Sequence, residues 1–352
     1  MNYEQRMQDK LKALQKKETV RILSLESSCD ETAAAIVENG RILKSNIIFS
    51  QIDLHALYGG VVPEIASRAH VEACDRVVDE ALREAGMTFD DIDAFAVTHG
   101  PGLVGALLTG VNCMKGLSYA LDKPLIPVNH IEGHVSANYL THPDLKPPFM
   151  CLVVSGGHSH IVNVTDYGEY RLIGATTDDA AGEAFDKAAR VLALPYPGGP
   201  RIDALAEEGD PHAFVLPKPH TEGRYDYSFS GMKTAFLNLV NKLEMQGTAL
   251  PRADLAASFR YSVVSSLVEK VMLAAKETGT PAVAMAGGVS ANSLLRRMMT
   301  EACEKAGIPL YMPKLIFCTD NGAMIASAAY YRLMKGEKAP LTLNAMPNLR
   351  LI

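Results

Sequence analysis

One pattern occurs twice in this chain, and it limits the available folds more than any other feature. Residues 21–25 alternate like a short strand, the polar loop Glu26-Ser-Ser-Cys-Asp-Glu-Thr32 follows, and residues 33–37 read as a second strand. An Asn39-Gly40 hairpin turn leads into a third strand, 42–48. The same order returns later: strand 150–154, the loop Ser155-Gly-Gly-His158, strand 159–164, a Tyr167-Gly168 turn and strand 170–174. Each opening is followed further along by a strand, a glycine loop and a helix. In the first half, 93–97 runs into His99-Gly-Pro-Gly-Leu-Val-Gly105 and a helix through Tyr119. In the second, 281–285 runs into Ala286-Gly-Gly-Val-Ser-Ala-Asn292 and a helix from Ser293.

Two similar α/β halves, each with a polar or glycine loop facing the other, predict a duplicated two-lobe fold with an interlobe cleft that closes on a nucleotide. Actin, the sugar kinases and the heat-shock ATPases are built this way. Analogy of fold supports a cleft and not a reaction. The length of 352 residues suits two lobes with sizeable cores, and 48% hydrophobic with 21% charged residues is a globular composition. No run approaches the roughly 20 apolar residues of a membrane helix. Residues 1–20 lack the apolar centre of a secretory signal and read as an amphipathic extension or a tail. Cysteines 29, 74, 113, 151, 303 and 318 are scattered, which suits a reducing cytoplasm better than a disulfide framework or structural zinc.

Chemistry concentrates at Asn129-His130-Ile131-Glu132-Gly133-His134. Histidines four apart share one helix face, so their imidazoles can converge on one metal ion. The alternative is two polar residues on a solvated face. The pair follows the Pro-bounded apolar run 124–128, a short buried strand, and so lies just past a strand end. Gly100, Gly102 and Gly105 have the spacing of a dinucleotide fingerprint, which also needs an acidic residue at the end of the next strand. Asp122 comes before that strand, so the glycines read as a close-approach loop at an active cleft and not as a nicotinamide site.

Pro63 opens a helix over 64–85. Asp178 and Asp179 are placed to cap a helix through Leu192, on which Glu183 and Lys187 form a surface pair and Asp186 lacks such an explanation. Pro195, Pro197, Gly198, Gly199 and Pro200 make a rigid turn, 209–226 a surface loop, and 255–276 a long amphipathic helix. Asp320 is either the N-cap of a final apolar helix or a carboxylate ligand. The net charge of −6 argues against gripping nucleic acid by bulk charge. Lys10, Lys12, Lys16 and Lys17, or Arg296 with Arg297, form local basic patches or solvated faces.

These motifs occur together and in order in one family. Ser27-Ser-Cys-Asp-Glu-Thr32, Gly59-Gly-Val-Val-Pro-Glu-Ile-Ala-Ser-Arg68, Gly100-Pro-Gly-Leu-Val-Gly105, His130-Ile-Glu-Gly-His134 and Val154-Ser-Gly-Gly-His158 carry the first part. Asp178-Asp-Ala-Ala-Gly-Glu-Ala-Phe-Asp-Lys187, Tyr196-Pro-Gly-Gly-Pro200, Phe229-Ser-Gly-Met-Lys-Thr234, Met285-Ala-Gly-Gly-Val-Ser-Ala-Asn292 and Cys318-Thr-Asp-Asn-Gly-Ala-Met324 carry the rest. Over residues 21–332 the chain resembles the universal tRNA threonylcarbamoyltransferase family, once described as O-sialoglycoprotein endopeptidases.

The resemblance implies transfer of threonylcarbamoyl from threonylcarbamoyl-AMP to the exocyclic amine of the adenosine 3′ of the anticodon, in tRNAs reading codons that begin with A. It implies that His130, His134 and Asp320 hold one divalent metal, iron(II) with zinc as the alternative. Val153, Val154, Ser155, Gly156, Gly157, Asp186, Gly199, Asp203 and Asn292 would hold the adenylate. It also implies a cytoplasmic protein with no membrane contact, fed by a threonylcarbamoyl-AMP synthase. Its partners would be a degenerate paralogue with a small P-loop ATPase, or a kinase-containing complex. The expected division is an extension over 1–20, a lobe over 21–149 with the histidines, and a lobe over 150–352 with the nucleotide loops, whose last helix comes near the metal. No general base is evident; His158 and a phosphate oxygen both stay open.

Three rivals remain. A metallopeptidase places Glu directly after the first His, whereas Glu132 lies two residues after His130, about 200° round the helix. An ATPase or sugar kinase of the same fold needs no histidine pair. A non-catalytic paralogue needs none of the three ligands.

Overall fold

The repeat predicted from the sequence is present as two five-stranded sheets with the same strand order. The computed structural model describes residues 2–218, 220–247 and 249–351. It divides into two compact units, one formed by residues 1–145 with 319–352 and the other by 146–318.

The first unit opens with α1 (Tyr3–Leu14) and the antiparallel meander β1 (Arg21–Glu26), β2 (Glu31–Glu38) and β3 (Ile42–Ser50). After α2 (Ile52–Ala56), α3 (Pro63–Ala85) crosses over to β4 (Ala94–Gly100), which lies parallel to β1. Then α4 (Val104–Ala120) returns the chain to β5 (Leu125–Asn129), parallel to β4, and α5 (His130–Thr141) follows at once. The order β3-β2-β1-β4-β5 puts β1 at the centre, where five of its six residues are buried. Edge strand β3 has a single buried residue, Ser45.

In the second unit the meander is β6 (Phe149–Val154), β7 (Ser159–Asp166) and β8 (Glu169–Ala175). Helices α6 (Ala181–Val191), α7 (Gly198–Leu205), α8 (Ser230–Met245) and α9 (Arg252–Thr278) intervene before β9 (Val283–Ala286), which is parallel to β6. Helix α10 (Ser293–Ala306) leads to the short β10 (Leu310–Tyr311), and the order is β10-β9-β6-β7-β8. Every residue of β6 is buried, as an uninterrupted apolar run at the centre of a covered sheet should be. Phe185 of α6, Phe236 of α8 and Phe259 of α9 interlock beside it, with ring centroids 4.8 to 5.9 Å apart.

The last helix, α11 (Gly322–Met334), corrects the expected lobe boundary. It belongs to the first unit, not to the second lobe anticipated over 150–352. Its small residues explain why. A Cβ at Gly322 would come within 2.6 Å of the Ala35 backbone nitrogen, so the helix start lies directly on β2. Ser24 donates to the Gly322 carbonyl at 2.7 Å, Ser327 donates to the Gly40 carbonyl at 2.7 Å, and α11 packs along α5. Chain position alone does not reveal such a return.

Residues 3–14 of the N-terminal extension form α1, which packs on the same unit. Met7 and Leu11 are buried, Lys10 reaches the Asp122 carboxylate at 2.6 Å, and the Gln15 side chain donates to the Met334 carbonyl at 2.9 Å. Among the described residues, no helix is long and apolar enough to cross a membrane.

Candidate metal centre and glycine loops

Strand β5 delivers His130 to the first position of α5, where the Asn129 side chain caps the helix by accepting from the Ile131 N–H at 2.8 Å. One turn on, His134 lies beside it, with ring centroids 4.6 Å apart. Both are buried, and so is every residue from 130 to 139, which removes the solvated-face alternative. Asp320 stands opposite: its Oδ1 is 3.4 Å from His130 Nε2 and 3.3 Å from His134 Nε2. One ligand atom from each of the three lies within 4.8 Å of the others. Asp320 is not the helix cap; Asn321 takes that role, accepting from the Met324 N–H at 2.9 Å.

The set fits a metal ion. Two imidazoles and a carboxylate converge, and among the described residues the buried His134 Nδ1 makes no hydrogen bond while Nε2 meets Asp320 only at 3.3 Å. A buried polar atom left without a hydrogen bond costs about 1–3 kcal/mol unless something binds it. Burial works against charge on His130, but Asp320 and Glu26 outweigh it and raise the imidazole to about 9. Burial likewise opposes charge on Glu26, and neighbouring His130 nonetheless holds its carboxyl below the usual range. Glu132 points elsewhere, to Arg332 on α11, as its helical offset requires.

Sequence reasoning missed Glu26 and Ser28 as neighbours of His130, and Thr98 as a partner of Glu26. Ser28 Oγ is 3.1 Å and Glu26 Oε2 3.3 Å from His130 Nδ1, and the Thr98 hydroxyl donates to Glu26. The polar loop 26–32 was the available signal. The glycines at 100, 102 and 105 are indeed close-approach positions, but what approaches is this chain itself. A Cβ there would meet the Met346 carbonyl, the Ser28 carbonyl and the Ser67 hydroxyl respectively, each within 2.5 Å.

In the second unit the expected nucleotide residues are linked in series. Val153 and Val154 end β6 and Ser155, Gly156 and Gly157 form the loop after it. The start of α6 docks on that loop, Glu183 N–H donating to the Gly156 carbonyl at 3.1 Å. Asp186, further along α6, accepts from the N–H groups of Gly198 at 2.8 Å and Gly199 at 3.2 Å. From α7, Asp203 accepts from the Asn292 side chain at 2.8 Å, and Asn292 caps α10. Gly156, Gly157 and Gly199 keep φ outside the left-handed region, and a Cβ on any of them would meet nothing within 4 Å. The fold does not require glycine there. Gly287 differs: its φ of 86° and the Val154 carbonyl, 2.3 Å from a built Cβ, demand glycine for packing.

Asp178 and Asp179 do not cap α6, whose N-cap is Ala180. Asp178 accepts from the N–H of Phe229 at 2.8 Å and of Ser230 at 3.2 Å, and so caps the start of α8. Asp179 takes Lys187 at 3.0 Å and Lys233 at 2.8 Å. The surface pair of Glu183 with Lys187 forms at 2.6 Å. A groove of about 410 Å³ lined by Phe49, Gln51, Leu54 and Val77 contains none of the candidate residues.

Twin sheets of this order define the actin, sugar-kinase and heat-shock-ATPase class of fold, here carrying a two-His, one-Asp cluster. Solved structures agree on the fold. Component A of the Acidaminococcus fermentans (R)-2-hydroxyglutaryl-CoA dehydratase matches 91% of this chain and 99% of its own, with a TM-score of 0.52 at 15% identity. HypF of T. kodakarensis matches 90% of this chain and 48% of its own, at 0.61 and 14%. Sequence goes further than fold. The profile of the family described as TsaD, tRNA N6-adenosine threonylcarbamoyltransferase, matches residues 42–327. A protein of that name from Clostridium novyi is 58% identical over 334 residues, covering 94% of this chain and 98% of its own. The chain belongs to the tRNA N6-adenosine threonylcarbamoyltransferase family.

Proposed function

We propose that this transferase moves threonylcarbamoyl from threonylcarbamoyl-AMP to the exocyclic amine of the adenosine 3′ of the anticodon, in tRNAs reading codons that begin with A. The observation carrying the reading is the convergence of His130, His134 and Asp320 in a member of this family. These three residues would hold one divalent metal. Two imidazoles and a carboxylate leave open positions, which suits iron(II) and, as the alternative, zinc. When bound, such an ion supplies a Lewis acid and a template for a substrate oxygen.

The donor is a mixed anhydride, so its carbonyl is already activated. The amine nitrogen forms the new bond to that carbon, the bond to the phosphate oxygen breaks, AMP leaves with the electron pair, and the amine loses a proton. Adenosine amine is a poor nucleophile, so orientation is what the protein must supply. Val153, Val154, the loop 155–157, Asp186, Gly199, Asp203 and Asn292 would hold the adenylate, with the open faces of Gly156, Gly157 and Gly199 letting a ligand reach the backbone. A synthase would supply the donor in the cytoplasm. Its partners would be either a degenerate paralogue with a small P-loop ATPase or a kinase-containing complex.

The test is incubation with threonylcarbamoyl-AMP, the partner proteins and unmodified tRNA, followed by nucleoside mass spectrometry. Threonylcarbamoyladenosine that depends on this chain is the expected product. Its absence, with phosphorylated sugar or ADP formed instead, would favour a kinase or ATPase of the same fold.

A further inference from the structure

His130 and His134 are not held alike. Their Nε2 atoms face the same oxygen of Asp320, at 3.4 and 3.3 Å, yet their other nitrogens have different surroundings. Among the described residues, His134 Nδ1 is buried without a hydrogen-bond partner. His130 Nδ1 looks onto Glu26, a carboxylate with no solvent exposure at all, whose Oε2 is 3.3 Å away. A wholly buried carboxylate is costly unless its oxygens are satisfied. Here Ser28 N–H donates to Oε1 at 2.6 Å, the Thr98 hydroxyl donates to Oε2, and His130 is the third partner.

Those bonds fix the direction of the one to His130. Oε1 faces a backbone N–H, which cannot rotate and only donates. Oε2 already takes the Thr98 hydroxyl as a donor, so both oxygens of Glu26 act as acceptors and the side chain meets the ring as an acceptor too. The proton between Glu26 and the ring therefore sits on Nδ1, and in a metal complex the lone pair is on Nε2, the atom turned to Asp320. Ser28 Oγ, 3.1 Å from the same Nδ1, is a rotatable hydroxyl and accommodates that choice.

We propose that Glu26 is the positioning residue of the metal centre: by accepting from Nδ1–H it sets the tautomer and ring orientation of His130, and His134 has no such support. The proposal rests on the metal-binding reading of His130, His134 and Asp320. Carboxylates in this relation to a metal-bound histidine typically contribute 10–100-fold in affinity.

Glu26→Gln tests the direction of the hydrogen bond as well as its presence. The fixed Ser28 N–H requires the amide oxygen at the Oε1 position, which turns the NH₂ toward His130 Nδ1. That donor favours the opposite tautomer, with the proton on the metal-facing nitrogen. Zn²⁺ affinity is measured by competition with a chromophoric chelator for the wild type, Glu26→Gln and His130→Ala, with circular dichroism on the metal-free proteins. A 10–100-fold loss in Glu26→Gln and near-complete loss in His130→Ala are expected. Glu26→Gln within threefold of the wild type, while His130→Ala loses zinc, overturns the role of Glu26 alone. Full zinc binding by His130→Ala overturns the metal centre itself. Should Glu26→Gln not fold, ¹⁵N NMR of zinc-loaded wild-type protein decides. A hydrogen-bonded Nδ1–H on His130 with Nε2 on the metal supports the proposal, and zinc on Nδ1 defeats it.

Discussion

At the residue scale the proposed metal centre makes a pH-dependent prediction whose sign follows from His130. Its imidazole lies at about 9, above the ordinary 6.5, because Asp320 and Glu26 outweigh burial. In the metal-free protein the charged form is the stabilised one. Its contribution is full below 6.5 and is lost as pH rises through about 9. Metal uptake must displace that proton, so affinity should rise by up to about tenfold per pH unit across the same window. Chelator competition at pH 7, 8 and 9 measures this, and a flat profile would show that metal uptake displaces no proton from His130 in this window. His130→Ala or Asp320→Ala should each empty the site by elemental analysis while circular dichroism stays native. Gly156→Val separates ligand from fold in the second unit. Since a Cβ there meets no protein atom within 4 Å, the melting temperature should hold while adenylate affinity by calorimetry falls at least tenfold. Unchanged affinity would make the loop an ordinary turn. The histidine pair was legible because helical spacing alone brings such residues together. Capping was not: Asp178 reaches a helix some fifty residues on, and Asn321 displaces Asp320 as cap by one position, neither of which local pattern can decide.

At the scale of elements, the strands and crossover helices were legible because period and turn chemistry encode them. The allegiance of the two ends was not. Helix α1 is mostly polar, yet Met7 and Leu11 are essentially inaccessible, and α11 brings the Asp320 segment back to α5 from across the chain. These burials exist only once the partner surface is folded, so the sequence of either helix underdetermines them. Leu11→Ala should therefore cost about 2–5 kcal/mol, the range for truncating a core leucine. Asp122→Ala, which removes the half-exposed partner of Arg6 and Lys10, should cost under about 1 kcal/mol. Urea denaturation of both variants measures the contrast. Equal, small effects would mean α1 merely rests on the surface.

At the scale of the whole molecule, the question is how a chain of net charge −6 engages a polyanion. Non-specific affinity grows with the number of phosphates neutralised, so this chain gains little from its overall field. The N-terminal lysines offer less than their number suggests. Lys10 is committed to Asp122 and Lys17 to Asp93, at 2.6 Å each, while Lys12 and Lys16 are exposed. An extension that spends half its lysines on its own unit serves as a strap more than as a tRNA-binding arm. The isolated chain should therefore bind unmodified tRNA weakly, and partner proteins should strengthen binding markedly by contributing basic surface. Binding by the complex should fall steeply with salt, because phosphate contacts carry most of such affinity. A salt-series titration of tRNA against the chain alone, the reconstituted complex and a Lys12→Ala/Lys16→Ala complex distinguishes the contributions. Little change in the double variant is expected. Tight binding by the chain alone at physiological salt, with no gain from partners, would show that a basic surface on this chain outweighs its net charge.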